Sequence, residues 1–223
     1  MASSGLRLWS SLSGLAFVVL AVVGSILLFD GPSSSSPAKM TAYYRSSSNR
    51  AHFNIGWVLT GVGLFLLIWF VAEMRERIRA SETAAGEQGT FLSTIVLVGG
   101  TVYVAVAMAA VAIAAGIKTM SDDTYNHAVY SGVIHAASDA CYVMIVTGGA
   151  AMAALIFATS VAVRRYAIMP RWVGWFGFAA GVAALFSLFF FTMLVWLLWV
   201  AVASVMLFLS SRSPAPRASA ATA

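Results

Sequence analysis

Apolar runs long enough to cross a bilayer alternate along the chain with short polar or charged stretches. A helical span needs about 20 mainly apolar residues to cover about 30 Å of hydrocarbon. Six runs meet that need, at 8–29, 53–73, 91–117, 140–163, 172–190 and 193–209. The first exceeds the roughly 7–15-residue apolar core of a signal peptide and is expected to remain as an uncleaved span. The second helix is expected to continue through Met74–Arg79, because Glu73 with Arg77 and Glu76 with Arg79 have helical i,i+4 and i,i+3 spacing. The polar, glycine-containing stretch Ser81–Gly89 reads as a linker.

Two runs are too long for one simple crossing. Nothing breaks the helical pattern between Tyr125 and Val163, a stretch that would reach ~60 Å as one helix. It is expected to project from the bilayer or to kink near Gly148–Gly149. From Trp172 to Leu209 there is neither charge nor proline, again ~60 Å of helix, so this stretch must fold back. Pro170 suits the first turn of its first half. A tight apolar turn is expected near Phe191–Thr192.

Charge sets the orientation. With a cytoplasmic N-terminus, the inner segments hold Arg7, Arg75, Arg77, Arg79, Arg164, Arg165, Arg171, Arg212 and Arg217, nine cations in all. The outer segments hold four: Lys39, Arg45, Arg50 and Lys118. The positive-inside rule therefore favours six spans with both termini cytoplasmic. The expected fold is all-α: a single polytopic membrane domain over 1–211, built as a six-transmembrane-helix bundle, with a disordered cytoplasmic tail at 212–223.

Composition narrows the class. Of 223 residues, 61% are hydrophobic and 9% charged, against about 45–50% and about 25% in soluble domains. An ordinary soluble domain, a disordered chain and a nucleic-acid-binding module are excluded. The pI of 9.7 reflects arginines flanking apolar runs rather than a nucleic-acid partner. One cysteine, Cys141, excludes an intrachain disulfide.

Glycines within the runs are expected to let helices approach closely: Gly61 and Gly63, Gly99 and Gly100, Gly148 and Gly149, and Gly174, Gly177 and Gly181. Trp172 and Trp175 suit one interfacial belt and Trp57 the other. Trp196 and Trp199 lie deeper and are expected to pack against other spans or lipid.

Two segments, with the six-span layout, carry a resemblance. One is Ala42-Tyr43-Tyr44, followed by Arg50 and a span holding Trp69-Phe70. The other is Met169-Pro170-Arg171-Trp172-Val173-Gly174-Trp175-Phe176-Gly177, leading into an apolar tail. Together they resemble a family of small multi-spanning bacterial membrane proteins, of actinobacterial type and without assigned activity. The resemblance implies a multi-pass protein of the bacterial inner membrane. It carries over no catalytic residues.

Ionisable residues inside a membrane are functional candidates because each is costly there. Only Asp139 approaches that position, and His135 shares its helix face one turn earlier. With Lys118 and His52 they form the candidate polar pocket or ion pair at the outer end, flanked by Ser131, His127, Asp122 and Asp123. Three readings fit. Asp139 pairs with Lys118 or His135 as a structural device, the usual fate of such charges. Alternatively His135 and Asp139, with a residue such as His52, hold a divalent metal. Or the cluster is a solute or proton entrance, with His135 titrating.

Ser131, His135 and Asp139 do not make a hydrolase triad, because helical spacing seldom supplies both required hydrogen bonds. No nucleophile elbow, zincin or phosphate-loop motif is present. No intramembrane lysine is placed to form a Schiff base, and no cofactor is expected.

Pro37–Ala51, behind the flexible run Ser33–Ser36, reads as a short interfacial helix for anionic lipid or a partner. The expected function is that of a non-enzymatic accessory protein of the bacterial inner membrane. Its partners are the lipid bilayer and a protein partner or second copy, with no nucleic acid. The alternatives are a small-solute or ion transporter or channel with an outward-facing polar pocket and, further off, a metal-dependent membrane enzyme.

Overall fold

The computed structural model describes residues 4–29, 39, 42–43, 45–87, 89–120 and 131–212. These form six helices and no strand: α1 (Ser4–Phe29), α2 (Ser47–Ala84), α3 (Phe91–Met120), α4 (Ser131–Tyr166), α5 (Arg171–Leu185) and α6 (Phe190–Arg212). Lys39, Ala42, Tyr43 and Arg45 are also helical. The rest of the Pro37–Ala51 helix before Arg45, and the tail beyond Arg212, lie outside the described residues.

Five helices are long and apolar enough to cross a membrane: α1, α2, α3, α4 and α6. Their outward faces stay apolar, with Ile55, Phe65, Trp69, Val98 and Leu198 exposed, as lipid-facing helices require. α2 has 38 residues and α4 has 36, so each is ~55 Å long and extends well past a bilayer core. α4 stays helical through Gly148–Gly149, and the part of the expected stretch before Ser131 lies outside the described residues.

Each helix packs beside its sequence neighbour, and α6 returns to α1, closing a ring of six. The core is built from Phe17, Leu67, Phe70, Met152, Leu155, Trp196 and Trp199, all essentially inaccessible. In lipid such packing is driven by van der Waals fit rather than by apolar transfer, so small residues decide how closely helices approach. Gly24 and Gly56 form the α1–α2 crossing. A Cβ at Gly56 would lie 2.9 Å from the Gly24 carbonyl, and one at Gly24 would strike Thr60 and the Gly56 carbonyl. Gly177 plays the same part beside Ser160 and Trp199. Gly99, Gly100, Gly149, Gly174 and Gly181 sit at contacts as expected, whereas Gly61 faces open space.

The last hairpin corrects the sequence reading. α5 has only 15 residues, ~22 Å, and ends at Leu185. The turn is Phe186–Phe189, and Phe191 and Thr192 belong to the first turn of α6. The expected turn therefore lies about four residues too late. No glycine or proline makes this turn; hydroxyl groups do. Ser187 Oγ donates to the Ala184 carbonyl at 2.7 Å. Thr192 Oγ1 lies 2.6 Å from both the Phe186 and Phe189 carbonyls, shared as a bifurcated donor. Tyr142 Oη on α4 donates to the Leu188 carbonyl. Where water is scarce, side chains must satisfy the carbonyls that a helix break frees. The turn between α4 and α5 instead places Ala167 in the left-handed region, at φ 53°.

Candidate functional site

Alternating helix direction gives the bundle two unlike ends. One holds Arg75, Arg77, Arg164, Arg165 and Arg171, and the other holds His52 and His135. The arginine end is bound together by charge-assisted hydrogen bonds. Arg77 Nε donates to Glu73 Oε1 at 2.7 Å, and its terminal nitrogens donate to Ser210 Oγ at 2.8 Å, to the Leu207 carbonyl at 3.3 Å and to Ser211 Oγ. Ser10 Oγ donates to the second Glu73 oxygen at 3.1 Å. Ser204 Oγ receives the Leu15 amide at 3.0 Å and donates to the Ser11 carbonyl, and Ser11 and Ser211 meet at 3.4 Å. The first and last helices are thus tied to α2 and to each other. Glu73–Arg77 forms as its spacing predicts, but Glu76 pairs with Arg75 at 2.7 Å rather than with Arg79.

The expected linker hides a second device. Glu82 is 1% exposed. Its Oε1 receives the Leu92 and Ser93 amides at 2.8 and 3.3 Å, and Oε2 receives Ser93 Oγ at 2.6 Å. A carboxylate at the positive end of α3 satisfies amides that open every helix. Nearby, Glu87 binds Arg165 at 2.7 Å and accepts from Tyr166 Oη at 2.8 Å. The Arg164 guanidinium stacks 4.0 Å over Trp175, a cation–π contact at the expected aromatic belt.

The histidine end is built differently. His52, His135 and Asp139 are all exposed. His135 and Asp139 sit one turn apart on α4 without an ion pair between them. Lys118 lies in the last turn of α3, but its side chain and all of His127, Asp122 and Asp123 lie outside the described residues. Among the described residues, no three of His, Cys, Asp and Glu come together as metal ligands.

The feature at this end is a cavity of about 580 Å³, partly open, between α1, α2, α3, α4 and α6. α5 takes no part in its wall. Phe17, Ala21 and Val22 line it from α1, Leu64 from α2, Ala107 and Val111 from α3, Ile145 from α4, and Met193 and Leu197 from α6. Ser25 and Ser138 lie toward the histidine end. Among the described residues, no charged side chain lines it. Two aromatic side chains with polar atoms form its inner part. Tyr103 and Trp196 meet edge to face, with ring centroids 5.5 Å apart and planes at 77°. Trp196 Nε1 is buried without a hydrogen-bond partner, a state that costs about 1–3 kcal/mol. Tyr103 is 5% exposed, and its hydroxyl makes no hydrogen bond among the described residues.

His135 precedes Ser138 by three residues and Tyr142 by seven, so it projects from the cavity-facing side of α4, beyond the lining. The sequence named His135 as a candidate and gave no sign of the cavity. Trp196 was placed as a packed residue, and it does pack, at 1% exposure. Only the assembled ring reveals that its indole nitrogen is left over.

Compared with family models, characterised proteins and solved structures, the chain shows no match.

Proposed function

We propose that the chain is a non-enzymatic accessory protein of the bacterial inner membrane, one that holds a membrane-soluble molecule inside its helix ring. The observation that carries this reading is the cavity of about 580 Å³, lined among the described residues without a charged side chain and within the ~300–1,000 Å³ range of small-molecule sites. Six passages with both termini cytoplasmic belong to the same proposal. The meeting of Ser11 with Ser211 supports an even number of passages, with α5 and its turn completing the sixth. The arginines gathered at the opposite end from His52 and His135 support a cytoplasmic arginine end. Membership of the actinobacterial-type membrane family is part of the proposal too.

Native mass spectrometry of the protein, released in mild detergent from its own membrane, tests it. The expected result is a bound species of defined mass that is weakened or lost in Ala107→Phe, where a phenyl ring intrudes on the cavity. A wild-type protein that is bare, or that holds the species no more strongly than the variant, would overturn the reading.

A second reading, a transporter for a small solute or ion, draws on the position of His135 at the rim. It requires His135→Ala to abolish flux in reconstituted vesicles. Unchanged flux removes it.

A further inference from the structure

We propose that Arg164 and Arg171, at the corner between α4 and α5, bind the phosphate of an anionic phospholipid whose acyl chain lies along the outer face of α5. The proposal stands apart from the cavity, which α5 does not line.

The two arginines are neighbours of one exposed ring. The Arg164 guanidinium stacks 4.0 Å over Trp175. Its stem crosses α5 at Gly174, where a Cβ would lie 3.0 Å from Arg164 Cγ. Arg171 precedes Trp175 by one turn on the same face of α5. Both arginines are exposed, and among the described residues neither side chain forms an ion pair or hydrogen bond. The described carboxylates of this end are all engaged elsewhere. Glu73 is held by Arg77, Glu76 by Arg75, Glu82 by the start of α3, and Glu87 by Arg165 and Tyr166. Two neighbouring cations without a carboxylate call for an anion from outside the chain. A guanidinium stacked by its face keeps the N–H groups in its plane free to donate, and phosphate oxygens accept them in pairs.

The surface beyond the arginines selects the source of that phosphate. Trp175, Phe178, Val182 and Leu185 follow Arg171 at i+4, i+7, i+11 and i+14, one continuous face of α5. Trp175 is 60% exposed, and Val182 and Leu185 are half-exposed. Phe178 meets Trp175 and Phe157 of α4, with ring centroids 6.0 and 6.2 Å apart, so the stripe joins the seam between the two helices. Exposed Trp172 and Trp175 set the corner at headgroup level. A free phosphate ion would answer the cations and leave the stripe bare. An acidic protein segment would match the charge but not an apolar stripe that faces hydrocarbon. A phospholipid covers both. A choline headgroup brings a cation of its own, which two unbalanced arginines disfavour, so the lipid carries net negative charge.

Native mass spectrometry of the full chain in mild detergent reads the test. The probes are phosphatidylglycerol, phosphatidylcholine with the same acyl chains, and glycerol 3-phosphate. Wild type is expected to bind phosphatidylglycerol about tenfold tighter than phosphatidylcholine, and to retain no glycerol 3-phosphate at the same concentration. In Arg164→Gln and in Arg171→Gln the preference should fall to within about threefold. Phosphatidylcholine binding, carried by the apolar stripe, is retained in both and shows that the surface has survived. Arg79→Gln removes another exposed cation from the same end and should leave the preference intact.

Equal binding of the two lipids to the wild type would overturn the site. So would a preference that survives both substitutions, or one that falls equally in Arg79→Gln, which would reduce it to general attraction by charge. Glycerol 3-phosphate bound as tightly as phosphatidylglycerol would overturn the lipid in favour of a soluble phosphate.

Discussion

The two ends of this helix ring use polar residues in opposite ways. At the arginine end, Glu73, Glu82, Glu87, Arg77 and Arg165 are each bound to groups on other helices or loops. At the histidine end, His52, His135 and Asp139 are exposed, and the polar groups that matter structurally lie deeper, at the α5–α6 turn and on the cavity wall. The difference teaches that formal charge density is a poor guide to where a membrane protein keeps room for a ligand. Charges here close one end; among the described residues, a gap without charged lining opens beneath the other. The short α5–α6 hairpin contributes to that gap, because α5 stops at Leu185 and leaves the cavity wall to the other five helices.

The largest effect should come from untying the closed end. Arg77→Ala removes the links from α2 to Ser210, Ser211 and Leu207 and strands the half-buried Glu73. Loss of ~2–3 kcal/mol is expected, read as a lowered midpoint of thermal unfolding in detergent. Glu82→Ala should follow at ~2 kcal/mol, since three hydrogen bonds to the start of α3 disappear from a buried site. Gly24→Ala should cost ~1–3 kcal/mol by forcing α1 off α2. If either end-closing substitution matched His135→Ala in stability, the contrast between the ends would fail.

Smaller effects sharpen the comparison. Ala167→Gly should stabilise by ~0.5–1 kcal/mol, because glycine adopts φ 53° without the alanine's strain. His135→Ala and Asp139→Asn should each change stability by no more than ~0.5 kcal/mol, as exposed residues without an ion pair between them do. A loss of several degrees in either would show that the histidine end is tied together by bonds of its own.

Much of the architecture was legible in the chain because hydrocarbon permits few alternatives. The apolar runs located all six helices, and the spacing of Glu73 and Arg77 foretold their pair. The α5–α6 turn was misplaced because no glycine or proline marks it in the apolar run. Ser187 and Thr192, two hydroxyls in an otherwise apolar run, were the available signal. Glu82 was read as part of a polar linker; it belongs to the end of α2 and caps amides ten and eleven residues later, a distance no local pattern marks. Gly24 and Gly56 carried no mark in the sequence of the close crossing they make. The cavity was not legible at all. Its lining comes from five separate helices, and no local pattern records that Trp196 Nε1 ends without a partner.

The most direct test of the account is photo-crosslinking in the protein's own membrane. A diazirine side chain placed at Met193, which lines the cavity, is compared with one at Leu198, which faces outward. The account predicts one discrete adduct mass at position 193, absent at position 198 and weakened or absent when Ala107→Phe is added. Bulk phospholipid adducts alike at both positions, or water adducts alone at 193, would contradict it.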